Sequence, residues 1–248
     1  MSMAGVMGAL SAKAGFRGGH GILDGKEGFW IMAGSDQCDF KKMTQGLGRE
    51  WLILGTDFKL HPSIAWSHPP FVALQKLIEQ HAIKASDVAK VRVWNVGVTR
   101  IADYDPRGAV DAQFSLPYAV ATTLLREPLT PALYAERKIK SAPVRAMMKR
   151  IECIEDPQMD FDWFKRNIMR TRVEITLKNG KRVEQAATFP DDKPKYGYQQ
   201  VVAKLEAMSD GLLPVSRVGQ ITDTVERLDK LADVTVLARL LVPARRSR

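Results

Sequence analysis

Cysteine and histidine are scarce in this chain of 248 residues: there are two cysteines and four histidines. Cys38 and Cys153 stand far apart with no CxxC spacing, which argues against a disulfide framework and against a structural zinc site. Long apolar runs are also missing. None reaches the roughly 18 residues that a membrane-spanning helix needs. The opening MSMAGVMGALSAKAGF has no charged segment ahead of its apolar part, so it does not read as a signal peptide. These absences predict a soluble cytoplasmic protein with reduced, structural thiols, no metal and no cofactor.

Helix-turn-helix and RNA-binding signatures are missing too, although the formal charge is +9 and the pI is near 9.6. Basic residues are interleaved with acidic ones along the chain. The one dense block, Arg245-Arg246-Ser247-Arg248, reads as a solvated tail. A positive field without a nucleic-acid motif suits a small anionic substrate, whose encounter it speeds. The chain is long enough for one large domain or two modest ones, and 45% of it is hydrophobic, enough for a real core.

Periodicity gives an α+β protein. Val6, Met7, Leu10 and Ala14 form a helical stripe over 3–15 with Gly15 as its cap. That helix is too apolar to stand alone, so it is expected to join a helical bundle mostly supplied elsewhere. A second helix follows His68, with Phe71, Leu74, Ile78 and Ala82 on one face. Strands are predicted over 91–96 and 171–177. The second of these turns at Asn179-Gly180, as a type I′ hairpin, into a return strand over 181–188. Short helices are expected around 132–138 and 144–151, and the last third, 198–241, is helical.

Two stretches carry candidate chemistry. In DPRGAVDAQFSLPYAVATTLL (105–125) a polar turn leads into an apolar helix with Pro117 in its first turn, and the hydroxyl of Tyr118 stands at the junction. The phenol either faces a cleft, where it donates a hydrogen bond or a proton, or is a core aromatic bonded to a buried carbonyl. In WLILGTDFKLHPSIAWSH (51–68), Lys59 alternates with Phe58 and Leu60, as the solvent-facing member of a strand would. His68, ahead of Pro69-Pro70, is either a proton-handling group or a loop histidine satisfied by a carbonyl. His20 and His81 are assigned no catalytic role.

The run Ala112-Gln113-Phe114-Ser115-Leu116-Pro117-Tyr118 resembles a segment of the MmgE/PrpD family. Members include 2-methylcitrate dehydratase, cis-aconitate decarboxylase and iminodisuccinate epimerase. Three further matches follow the family's order: Ala14-Gly15-Phe16 with Leu23-Asp24-Gly25 and Gly28-Phe29; Lys59 with Pro62; and Trp66-Ser67-His68. Ser63-Ile64-Ala65 departs from a Cys-Cys-Arg common in the family, which removes a potential arginine clamp for a carboxylate. The turn Phe189-Pro190-Asp191-Asp192-Lys193-Pro194 matches weakly.

The resemblance covers nearly the whole chain but only about the C-terminal half of the family's usual length. It implies three parts: 1–56 as the end of a helical domain, 57–192 as an α+β lid, and 193–248 as helices returning to the helical domain. It implies a dehydratase or decarboxylase that abstracts a proton next to a carboxylate. Lys59 would be the carboxylate-binding cation, His68 an orienting or proton-handling group, and Tyr118 a donor in the same cleft. The alternatives are an isomerase or epimerase of the family, and a non-catalytic partner of a split enzyme. A companion chain supplying the helical half, or a homo-oligomer, is implied in either case.

Overall fold

The computed structural model describes residues 2–242, apart from positions 24, 36, 37, 57, 60, 129, 190, 193 and 194. Asp24, Leu60, Pro190, Lys193, Pro194 and the basic tail 245–248, named above, lie outside the described residues. Contacts divide the chain into two units, Met1–Asp57 and Phe58–Arg248.

The first unit contains helix α1 (Ser2–Lys13), short helical turns Phe29–Met32 and Phe40–Thr44, and a 3-10 turn Leu52–Gly55. Gly15 takes φ +94° and ends α1: its N–H reaches the Ala12 carbonyl and that of Phe16 reaches Ser11, each at 3.0 Å. Among the described residues of this unit only Gly28 is buried. Val6, Met7, Leu10 and Ala14 of the predicted stripe are exposed, as are Met3 and Trp51 to Leu54.

The second unit is α+β. Helix α2 (His68–His81) carries Pro69 and Pro70 in its first turn and buries Phe71, Ala73, Leu74 and Leu77. It stops one residue short of the predicted Ala82, which takes φ +48° and closes the helix onto the Ile78 carbonyl. Strand β1 (Val88–Asn95) and helix α3 (Leu116–Leu124) follow, then helix α4 (Ala142–Met148), strand β2 (Ile151–Glu155) and helix α5 (Pro157–Arg166). Strands β3 (Met169–Leu177) and β4 (Arg182–Phe189) form a hairpin, and helices α6 (Tyr198–Ser209) and α7 (Val215–Glu226) follow, then a short helix Thr235–Leu240.

The sheet order is β2-β1-β3-β4, with β1 parallel to β2 and antiparallel to β3. Register aligns Val91 with Ile175, Val93 with Val173 and Asn95 with Thr171 on the face that α2 covers. On the other face Lys90, Arg92, Arg172, Glu152, Glu174 and Glu184 form ion pairs across the strands, and Arg172 lies over the Trp94 ring at 3.6 Å. Alternation thus separates a dry face from a charged one.

Two expectations need correction, and one helix had no expectation to match it. The helix expected over 144–151 ends at Met148, and Ile151 opens β2, because its parallel partner on β1 outweighs the helical pattern. Helix α5 was not foreseen, although Asp156 caps it by accepting from Gln158 and Met159. The hairpin turn is not type I′. Gly180 takes φ +84° but Asn179 does not take positive φ, and Leu177 bonds to the Lys181 carbonyl at 2.8 Å across a three-residue loop.

Candidate active site

Lys59, His61 and His68 are gathered by one turn at the start of the second unit. Pro62 and a 3-10 turn over Ala65–Ser67 fold the chain back before α2. The Ser67 hydroxyl donates to the Ile64 carbonyl at 2.8 Å and shares a 3.0 Å hydrogen bond with the buried Ser63 hydroxyl. Ile64 N–H in turn reaches the Gln113 carbonyl at 3.0 Å, tying the turn to the segment that precedes α3.

Lys59 is exposed and lies outside any strand. Its amine donates to the Ser63 carbonyl at 3.0 Å and has no carboxylate partner among the described residues. Lys204 of α6 donates to the Lys59 carbonyl and also lacks an acidic partner among them. Two ammonium groups, one from the turn and one from α6, therefore meet here with no acidic partner among the described residues, which is a setting for an anion.

His68 Nδ1 lies 3.1 Å from the Ile64 carbonyl. A carbonyl only accepts, so Nδ1 carries the hydrogen and Nε2 keeps a lone pair. That Nε2 is buried with no partner, as is Nδ1 of His61. Burial first, and then the positive charge of Lys59, hold the His68 pKa below 6.5, while backbone hydrogen bonds oppose the shift. His61 stacks on Phe71, with ring centroids 3.9 Å apart, and meets His68 edge-on at 5.9 Å. Burial, with a smaller contribution from His68, lowers its pKa to about 4. Both rings are held neutral near pH 7, because burial makes the charged imidazolium costly.

Tyr118 is placed differently from the expectation. It sits in the first turn of α3 behind Pro117, where the Ser115 hydroxyl already accepts its N–H at 3.1 Å, so the helix start is capped by its own chain. Its hydroxyl donates to the Leu133 carbonyl, and the residue is 1% exposed. The helix is buried almost all round, so an aromatic there points into the core and must satisfy its hydroxyl on the nearest carbonyl. Burial, then the charge of Glu127, push this phenol up to about 12. It is the core tyrosine of the two alternatives. Tyr118→Phe is therefore expected to leave turnover within about twofold and to lower stability by about 1–2 kcal/mol, since the Leu133 carbonyl loses its partner. Thermal unfolding and steady-state kinetics on the same preparation check both effects.

A cavity of about 290 Å³ opens between α2 and α3, lined by His61, Gln75, Glu79, Thr122, Thr123 and Arg126 among others. His61 thus links the turn to this space; Lys59, His68 and Tyr118 do not line it. Sequence reasoning missed His61 and Lys204. The spacing Lys59-x-His61-Pro62 within the turn could have pointed to the first; nothing local marks the second, 145 residues away. Among the described residues no group of three His, Cys, Asp or Glu side chains could hold a metal. The Cys153 thiol is pushed up to about 11 by burial and is not a ready nucleophile. No helix among the described residues is long and apolar enough to cross a membrane.

The MmgE/PrpD C-terminal domain matches residues 61–230, a span that contains His61, His68 and Tyr118 and begins just after Lys59. A cis-aconitate decarboxylase of Aspergillus terreus is 22% identical over 96% of this chain and 52% of its own length. A cis-aconitate decarboxylase-like protein of Aspergillus oryzae is 20% identical with the same coverage. The chain spans about half the length of the curated relatives it matches. With most of its residues matched in this way, the chain belongs to the MmgE/PrpD family.

Proposed function

We propose that the chain is the lid-bearing half of a lyase that acts on a small carboxylic acid, with the turn 58–68 facing the substrate. The observation that carries this reading is the Lys59 amine: it is unpaired by any acid among the described residues and stands beside two neutral imidazoles. A carboxylate bound by Lys59, with Lys204 as a second cation, would have its developing charge stabilised as the neighbouring carbon loses its proton. In a dehydration the electron pair left on carbon forms a double bond to the adjacent carbon, whose C–O bond breaks, and the leaving hydroxide takes the abstracted proton back from the base and departs as water. In a decarboxylation the carboxylate leaves as carbon dioxide, its bonding pair stays on carbon, and a proton is returned there. His68, with an unpartnered Nε2, is the group that would handle that proton. The coverage of relatives named as cis-aconitate decarboxylases supports the lyase class. The same proton abstraction with return to the other face would give an epimerase, and a chain whose turn only shapes a partner's site would be non-catalytic.

The exposed apolar side chains of Met1–Asp57 support a companion polypeptide, because surfaces of this kind normally mark an interface. By itself the chain is expected to sediment as an associated species and to be inactive. Coexpressed with a polypeptide equivalent to the N-terminal half of its relatives, it is expected to form a stable complex that releases carbon dioxide from cis-aconitate or water from a hydroxy acid. A well-behaved monomer, together with a complex inert toward both substrate types, would contradict the proposal.

A further inference from the structure

We propose that Asn95, at the end of β1, is a positioning residue for the turn that carries Lys59, His61 and His68. The inference rests on reading that turn as part of the site. Asn95 is 0% exposed and points to the dry face of the sheet, in line with Val91 and Val93. An amide there costs stability that a valine would not, since its Oδ1 is buried without a partner. What the amide supplies is a pair of donated hydrogen bonds, to the Trp66 carbonyl at 2.8 Å and to the Val96 carbonyl at 3.1 Å.

The bond to Trp66 crosses from the sheet to the turn and fixes it from the backbone side. Gly97 fixes it from the ring side. It takes φ +64°, and a Cβ built there would lie 2.5 Å from the Trp66 ring, so only glycine lets the indole settle against the strand end. The Gly97 N–H donates to Asp160 of α5 at 2.7 Å, and Phe164 of the same helix meets the indole edge-on at 6.3 Å. From Trp66 the constraint passes through Ser67 to Ser63, whose carbonyl holds the Lys59 amine, and to Ile64, whose carbonyl orients the His68 ring. Asn95 touches none of the groups proposed to meet substrate; it acts through the turn.

Modification of each histidine by diethyl pyrocarbonate, followed residue by residue with mass spectrometry on the full-length chain, tests this without an activity assay. His20 and His81 are exposed and serve as internal references. His68 has one ring nitrogen bonded and the other buried, so it is expected to react slowly in the unaltered protein. Asn95→Leu keeps the volume but removes the donors. It is expected to raise the His68 rate relative to His81 by about tenfold, as one lost buried hydrogen bond makes local opening that much more frequent. Val144→Ala, a core change in α4, is expected to leave the ratio unchanged. No change with Asn95→Leu, or an equal change with Val144→Ala, would overturn the proposal. Should Asn95→Leu fail to fold, Gly97→Ala, which pushes on the indole, is judged by the same criterion. Deprotection of His68 in a protein whose turnover ignores Lys59 would keep Asn95 as the positioning residue and dismiss the lyase reading; the reverse pattern would dismiss Asn95 alone.

Discussion

Replacing Lys59 by Met is expected to lower the turnover of the assembled enzyme by about 10²–10³-fold, the range seen when one group stabilising a developing negative charge is removed. Methionine keeps the length and most of the apolar stem of lysine but carries no charge. Folding should hardly notice the change, because the amine is exposed and bonds only to the Ser63 carbonyl. The loss should fall mainly on kcat if the cation acts on charge that appears in the transition state, and mainly on KM if it only captures the carboxylate. Lys59→Arg is expected to recover part of the activity, since it restores charge with a different geometry. Lys204→Met should cost less, because its amine donates to the Lys59 backbone and it is the charge of Lys59 that bears on His68.

Stability is expected to fall as the pH drops from 6.5 toward 4, with His61 the main cause. Its folded pKa is about 4, against 6.5 when the ring is free in water. Between those values the unfolded chain binds a proton that the folded chain refuses, so acid favours unfolding, and above 6.5 the effect vanishes. A shift of this size corresponds to about 2 kcal/mol after allowance for the ring's partial contact with solvent. His68, shifted in the same direction, adds to the slope. His61→Phe keeps an aromatic against Phe71 and cannot titrate, so its urea midpoint should change much less over this window than that of the unaltered protein. Equal slopes in the two proteins would show that His61 is not held neutral by the fold.

The hairpin and the buried helix were legible in the sequence because both obey a simple period. Val173 and Ile175 alternate with charged residues, and from Leu116 to Leu124 the chain is apolar on nearly every side. Strand β2 was not legible, since IECIE alone does not show that β1 will pair beside it. Helix α5 was missed for a different reason: its capping aspartate and Pro157 were present, but a mostly charged and aromatic body hid the helical period. At the site, Lys59 and His68 could be matched to a family pattern. The stacking of His61 on Phe71 depends on how Pro62 and the 3-10 turn reverse the chain, and no local spacing reports that. Tyr118 shows the converse limit. The motif around it matches the family, yet the direction of its hydroxyl is set by Leu133, a residue that sequence spacing does not connect to it. Asn95 reads in sequence as one more strand residue; its role emerges only when Trp66 is seen above it.

The most direct measurement of the central claim is the exchange of a substrate hydrogen with solvent. The assembled enzyme is incubated in deuterium oxide with a small carboxylic acid that it converts, and deuterium at the carbon next to the carboxylate is followed by mass spectrometry. Incorporation by the unaltered protein, reduced by about 10²-fold or more in Lys59→Met, is the predicted result, because the carbanion-like state depends on that cation. Incorporation at the same rate in both proteins would contradict the assignment of the turn to the catalytic site.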